Sequence, residues 1–205
     1  YVIRCVNIFS AIMSESVSTS DGRAQRSQRS RESVLQALMA VIREGVEDPT
    51  LDAVAERAGV SLRTVFRHFG DQEALAMAVH ERVSAEVRPI LERARFEGSV
   101  AGRVAALVAT RIEVFEVVAP FRRASGSGPP KYAASREGLE LFERVMRQHL
   151  DEALGTELAA SDDARALLEA QLSFETWNYM RTVQHSSRRR CRQLLERAVL
   201  ALLPS

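Results

Sequence analysis

Residues 51–75 of this 205-residue chain read LDAVAERAGVSLRTVFRHFGDQEAL, and this stretch decides the fold of the N-terminal part. Apolar residues first recur at helical spacing from Leu51 to Ala58, and a second helical segment follows Gly59, where Ser61 can cap it. Glycine readily adopts the left-handed backbone conformation that a tight turn requires. Two short helices joined by such a turn form the layout of a helix-turn-helix motif.

The second helix of this motif is predicted to expose one face. Val60 and Val65 can pack against the first helix, so an arginine at position 63 is free to bond bidentately with a guanine edge. The residues left facing outward are Leu62, Arg63, Phe66 and Arg67, while Thr64 and His68 can donate to phosphate oxygens. The pattern favours binding to double-stranded DNA. A compact helical hairpin with an arginine-bearing surface, or a helical adaptor that binds protein, remains the alternative.

A basic segment precedes the motif. Residues 22–31 read GRAQRSQRSR and contain four arginines and no acid, which suits the phosphate backbone or a minor groove of DNA. Arg29 and Arg31 are its predicted phosphate contacts, and a solubilising tail is the alternative. We expect residues 1–30 to form a disordered basic arm, with residues 1–12 lying upstream of the true start at Met13.

Composition excludes several functional classes. The 28 Lys and Arg residues nearly balance the 27 Asp and Glu residues, so any basic surface is local. Two cysteines rule out a disulfide framework and a cysteine-rich metal site. The sequence lacks GxxxxGK[ST], GxGxxG, HExxH and GxSxG motifs. We therefore predict no catalytic residue, no cofactor, no metal and no membrane partner in a cytoplasmic protein, with an all-helical enzyme as a remaining alternative.

Helical periodicity continues through the rest of the chain and predicts an all-α fold of about nine helices. Residues 31–75 are expected to form the DNA-binding domain and residues 76–205 a larger helical domain. The expected helices cover residues 31–45, 51–58, 61–68, 72–95 with a kink at Pro89, 104–118, a short segment from Pro120, 139–155, 161–180 and 188–203, with a loop at 124–130.

The motif resembles the DNA-binding domain of tetracycline-repressor-type (TetR-like) regulators over residues 31–80. The matching residues are AERAGVS at 55–61, TVFRHF at 64–69 and EAL at 73–75. The resemblance implies that residues 61–68 are the recognition helix, with Leu62, Arg63 and Phe66 facing base edges. The phosphate contacts then predicted are Thr50, Thr64, Arg67, His68 and Gln72. The family usually has tyrosine where Phe66 stands and often lysine where Gln72 stands.

The last two predicted helices carry more apolar surface than one helical hairpin can hide, which favours a homodimer. The predicted interface residues are Leu168, Leu172, Leu194, Leu195, Ala198 and Leu202, with Trp177 beside them. The alternative is that these side chains only close the core of the monomer. The TetR-like resemblance favours the dimer.

The same resemblance implies a pocket within residues 72–155 for a small apolar or aromatic effector. The predicted lining is Phe115, Phe121, Phe142, Met146, Phe174, Trp177 and Asn178, with Glu113 or Glu116 as further polar anchors. Plain core packing is the alternative for each of these residues. The expected function is a repressor that binds a palindromic operator as a dimer and leaves it when the effector shifts the long helix at residues 72–95.

Overall fold

A computed structural model describes residues 22–126 and 133–203 of the chain. Within these ranges the fold is all-α, as predicted, with nine helices and no strand. The helices are α1 Gly22–Arg43, α2 Leu51–Ala58, α3 Leu62–Phe69, α4 Gln72–Glu92, α5 Val100–Ala124, α6 Ala133–Leu158, α7 Asp162–Gln171, α8 Phe174–Thr182 and α9 Arg188–Leu202. The predictions made for residues 1–21 and for most of the loop at 124–130 lie outside the described residues.

The N-terminal unit forms because α1 supplies an apolar face to the two short helices. Helix α1 packs against both α2 and α3, and Val34, Val54 and Val65 are almost completely buried where they meet. Gly59 ends α2 with a φ of 67°, and its N–H donates to the carbonyls of Ala55 and Glu56. That left-handed conformation favours glycine, so the turn of the motif is set by this residue.

Hydroxyl and carboxylate side chains cap the helices that position the motif. Thr50 caps α2, Ser61 caps α3 and Asp71 caps α4, each accepting a hydrogen bond from the backbone N–H three residues further on. Each cap satisfies a donor that the first helical turn leaves free. The boundaries of α2, α3 and the start of α4 therefore agree with those predicted from the sequence.

The larger unit is built around α5, which packs against α1, α4, α6, α8 and α9. Its buried residues include Val104, Val108, Ile112 and Phe115, spaced at helical intervals. Helix α4 joins the two units, because Leu75 and Ala78 are buried near its start and Val83, Val87 and Ile90 nearer its end. No helix in residues 22–126 and 133–203 has the length and apolar character needed to cross a bilayer.

Several predicted boundaries are wrong. Helix α1 begins at Gly22, so residues 22–30 are helical and do not form a disordered arm. This segment has no apolar stripe to predict a helix, but its Arg, Gln and Ala residues are good helix formers. Helix α5 continues through Pro120 to Ala124. There the buried Val118 and Ala119 hold the helix against its neighbours, so tertiary packing outweighs the missing hydrogen bond at proline.

Three further boundaries differ from the prediction. Helix α6 passes through Gly155 and ends at Leu158, a fully buried residue that anchors the extra turn. The single helix predicted over 161–180 is two helices, because the Ser173 hydroxyl accepts from the Thr176 N–H and starts α8. Trp177 therefore lies on a separate short helix. Helix α4 ends at Glu92, three residues before the predicted end.

Candidate nucleic-acid interface

Helix α3 presents the exposed face that the sequence predicts. Arg63 and Arg67 are exposed, and Phe66 exposes 43% of its surface, a large fraction for an aromatic residue. Leu62 is half-buried at the first turn. Val65 and Phe69 are buried on the opposite side of the same helix, so α3 is held by one face while the other faces solvent.

Helix α1 fixes the orientation of α3 through two side-chain contacts. The Arg31 guanidinium lies 4.8 Å from the centre of the Phe69 ring, and His68 Nε2 lies 3.0 Å from Ser30 Oγ. Sequence reasoning missed the Ser30 contact, and no sequence pattern signals a bond between residues so far apart in the chain. Arg31, predicted to contact phosphate, is half-buried against the ring, where a cation on an aromatic face is attracted to it.

His68 has a different environment from a free phosphate ligand. Partial burial lowers the pKa of His68 below its ordinary value, and the positive charges of Arg67 and Arg31 lower it further. The lowered pKa favours the neutral imidazole, so His68 adds less positive charge to this surface than a free histidine would. Its predicted phosphate contact stays a prediction, and any such contact competes with the bond to Ser30.

The other predicted phosphate contacts lie at helix N-termini around α3. Thr50 and Gln72 are exposed at the starts of α2 and α4. The Thr64 hydroxyl is half-buried and lies 3.0 Å from Ser61 Oγ. Backbone N–H groups at a helix start attract phosphate even without a charged side chain, so these positions suit the backbone of DNA.

Helix α1 extends the basic surface beyond α3. Its first turns carry Arg23, Arg26 and Arg29, which are all exposed, and the first turn contains no acidic residue. These arginines are presented by a helix and not by a flexible arm, so their positions relative to α3 are fixed by the contacts at Ser30 and Arg31.

The predicted effector residues form a packed aromatic cluster. Phe115 contacts Phe142, Phe174 and Trp177 with ring centres 5.6–6.3 Å apart. Arg122 lies over the Phe174 ring, 4.4 Å from its centre. Apart from this packing, the described residues leave a cavity of about 20 Å³ among these helices, which is room for one water molecule.

Only some of the residues predicted to line an effector pocket border this cavity. Phe115, Phe142, Met146 and Phe174 line it, whereas Phe121, Trp177 and Asn178 do not. Asn178 instead accepts a hydrogen bond from Arg123 Nε at 3.0 Å. Glu113 and Glu116 are ion-paired with Arg93 and Arg181. The polar lining residues that sequence reasoning missed are Arg111, Glu143, Arg147, Glu169 and Ser173.

The predicted dimer residues also divide into two groups. Leu168, Leu172, Leu195 and Trp177 expose at most 1% of their surface within one chain, so they close the core of the monomer and cannot meet a partner. Leu194, Ala198 and Leu202 are half-buried on α9. The exposed apolar side chains that sequence reasoning missed are Leu167, Tyr179 and Leu200 on the last three helices and Val183 just after α8.

Comparison with known proteins agrees with this architecture. Residues 34–79 match the family model described as "Bacterial regulatory proteins, tetR family". No curated protein matches the chain. Two proteins of known structure from Rhodococcus species, one described as TetR-family and both as transcriptional regulators, superpose with TM-scores of 0.61 and 0.60 at 19% and 16% identity. The aligned regions cover 85% and 86% of this chain, and 99% and 95% of those proteins.

A third structure, described as a TetR-family regulator from Mesorhizobium loti, has a TM-score of 0.55 at 22% identity. The aligned region covers 86% of this chain and 96% of the Mesorhizobium loti protein. The family match includes α3 and its supporting helix, and the likeness of fold extends over most of the described residues. Residues 34–79 therefore carry a helix-turn-helix domain of the TetR-family type, and the described residues share the all-helical fold of these solved structures.

Proposed function

We propose that this TetR-like chain is a ligand-responsive repressor that binds a palindromic operator as a homodimer. A small apolar or aromatic effector releases it from the operator. The observation that carries the proposal is the exposed face of α3, where Arg63 and Phe66 point to solvent while Val65 and Phe69 anchor the helix. A helix held in this way fits the major groove, and arginine at its start can read a guanine edge.

Pairing of two chains follows from the size of this surface. One recognition helix buries little area on DNA, whereas two helices spaced by one turn of the duplex read two half-sites. The residues that support a two-fold surface are the half-buried Leu194, Ala198 and Leu202 together with the exposed Leu167 and Leu200. This set leaves out the predicted interface residues that are already buried in the core of one chain.

Release requires the effector to favour one of two conformations. Helix α4 connects α3 to the helices around the aromatic cluster, since it packs on α3, α5 and α6. A shift of α4 changes the distance between the two recognition helices of a dimer. Operator half-sites lie about 34–36 Å apart, so such a shift weakens binding.

The decisive test is binding of the purified protein to the promoter DNA beside its own gene. Arg63→Ala is expected to reduce discrimination between operator and mismatched DNA by about 1–3 kcal/mol, the value of one bidentate contact. Fluorescence anisotropy with both DNAs measures this difference. The matched control is Arg189→Ala, which removes an exposed arginine from α9 and should leave discrimination intact.

Two results would reject the proposal. An Arg63→Ala protein with unchanged discrimination and unchanged helical circular dichroism would show that α3 does not read bases. A wild-type protein that binds neither DNA but retains a protein from the same cells would favour the helical adaptor instead.

A further inference from the structure

Arg111 is a charged residue in the core of the larger unit. It lies on α5 in register with the buried Val104, Val108 and Phe115, and it exposes only 3% of its surface. A buried cation is costly unless it is paired with an opposite charge. The neighbours of this guanidinium therefore show what the site is built to hold.

Neutral groups take up part of its hydrogen-bonding capacity. Nη1 donates to the Leu172 carbonyl at 2.9 Å, and Nη2 donates to the Met146 carbonyl at 2.6 Å. The Leu172 carbonyl ends α7, so it carries part of the negative end of the helix dipole. Nε is buried and has no hydrogen-bond partner among the described residues, so one of the three guanidinium nitrogens makes no hydrogen bond there.

No carboxylate of the described residues forms an ion pair with Arg111. Glu143 pairs with Arg122 at 3.9 Å and acts on Arg111 only through space, as Glu169 does. Burial lowers the pKa of Arg111 to about 10, so the side chain is still charged at pH 7. The positive charge is thus fixed in the core without a direct counter-ion.

The cavity of about 20 Å³ lies beside this charge. Phe115, Phe142 and Phe174 form its apolar wall, Arg147 lies on its exposed side, and the carboxylates of Glu143 and Glu169 also line it. An oxygen atom in this space meets the buried cation, while an attached apolar group meets the three rings. The arrangement matches a molecule with one charged oxygen-bearing end and one flat apolar end.

We infer that the cavity beside Arg111 binds the carboxylate of a small aromatic acid whose ring lies against Phe115, Phe142 and Phe174. The inference rests on the proposed function in one respect, because this acid is the effector. The carboxylate accepts from the guanidinium and gives it a directly bonded counter-charge, which Glu143 and Glu169 supply only through space. The phenylalanine rings part to admit the body of the acid, since the space present without it holds only a water molecule.

Benzoate and benzamide test the inference on the full-length wild-type protein. They have nearly the same shape, but only benzoate carries a negative charge. Titration calorimetry is expected to give benzoate an affinity about tenfold or more above that of benzamide, the ratio for a hydrogen-bonded charge. Benzoate should also raise the midpoint of thermal unfolding, because it binds only the folded state.

Variants locate the effect. Arg111→Met keeps the length of the side chain but removes its charge, and it is expected to abolish the preference for benzoate. Arg111→Lys should retain part of that preference. Arg144→Met is the matched control, because Arg144 is exposed on α6 and does not line the cavity.

Three outcomes would overturn the inference. They are equal affinity for benzoate and benzamide, an Arg111→Met protein that still prefers benzoate, and a wild-type protein that binds neither compound. The last would mean that the cavity holds only water. The comparison of benzoate with benzamide uses the wild-type chain, so it tests the inference even if the Arg111→Met protein does not fold.

Operator binding separates this inference from the proposed function. If benzoate binds at Arg111 and the protein stays on its operator, the site stands and the release step of the repressor mechanism is wrong. If the protein releases its operator for an effector whose binding is unaffected by Arg111→Met, the repressor stands and this site is wrong.

Discussion

At the scale of single residues, one close contact between α4 and α6 depends on a glycine. Gly138 is buried on α6 against the His80 ring of α4. A Cβ at position 138 would lie 2.2 Å from His80 Cε1 and 2.7 Å from its Nδ1, so the helices must separate or the ring must move. His80 Nε2 also lies 3.4 Å from Ser84 Oγ, so moving the ring would break this contact.

Gly138→Ala is therefore expected to lower the free energy of unfolding by about 1–3 kcal/mol, the usual cost of overpacking a core. Gly155→Ala is the control on the same helix, because its Cβ would meet only Asp151 Cβ at 4.0 Å. That change should raise stability by about 0.5–1 kcal/mol, since alanine favours a helix. Urea denaturation measures both. Equal effects of the two substitutions would contradict the close contact, and His80→Ala should relieve the cost of Gly138→Ala.

At the scale of helices, the sequence predicted those elements whose ends carry their own chemical signals. Thr50, Ser61 and Asp71 are helix caps, and Gly59 is a turn residue. These interactions are local, so the position of the motif could be predicted from the sequence. The exposed face of α3 followed from the same short-range pattern. The predicted helix end before Pro120 was wrong because the effect of a proline depends on how α5 packs. The helix break at Ser173 was missed because a serine caps a helix only in a suitable tertiary environment.

The site in the larger unit was less predictable for the same reason. Which aromatic side chains pack on each other and which line a cavity depends on contacts between helices distant in sequence. Arg111 had one signal, an arginine at a position where the apolar period of α5 requires a buried residue. The carbonyl groups that accept from Arg111 belong to Met146 and Leu172. These residues are distant from Arg111 in sequence, so the hydrogen bonds could not be predicted.

Helix α1 allows a prediction about DNA affinity. Replacing Arg23, Arg26 and Arg29 by glutamine removes three exposed charges while keeping residues that favour a helix. The slope of log affinity against log salt should fall by about 0.9 for each phosphate that these arginines neutralise in the wild-type complex. Salt titration of operator binding measures the slope.

The matched control replaces Arg188, Arg189 and Arg190 by glutamine, because these three exposed arginines lie at the start of α9. That protein should keep the wild-type slope. If the α1 variant also keeps it, the first turns of α1 do not contact phosphate and only solubilise the domain.

At the scale of the whole molecule, packing and not ion pairing joins the DNA-binding unit to the larger one. Arg43 pairs with Glu86, and Arg82 with Glu32, between α1 and α4, but these side chains remain 30–45% exposed. Exposed pairs of this kind contribute about 0–1 kcal/mol each. The buried residues of α4 contact both units, so a displacement of α4 moves α3 with it.

In the proposed function, operator binding depends on the pairing of two whole chains. Leu200 on α9 exposes 44% of its surface, and Leu167 on α7 exposes 55%. Leu200→Arg places a charge in this apolar surface, where a dimer would have to bury it without a partner. We expect sedimentation velocity to show a monomer, with operator affinity reduced by about tenfold or more because only one recognition helix then binds.

Val46→Arg is the matched control, because Val46 exposes 45% of its surface in the segment between α1 and α2. It adds the same charge at an equally exposed apolar position outside α7 and α9, so the protein should sediment as the wild type does. If Leu200→Arg sediments and binds its operator as the wild type does, the two-fold surface is not on α9. If the wild type is itself a monomer at concentrations that saturate the operator, pairing through any surface is excluded, and a single α3 must supply the whole of the specificity.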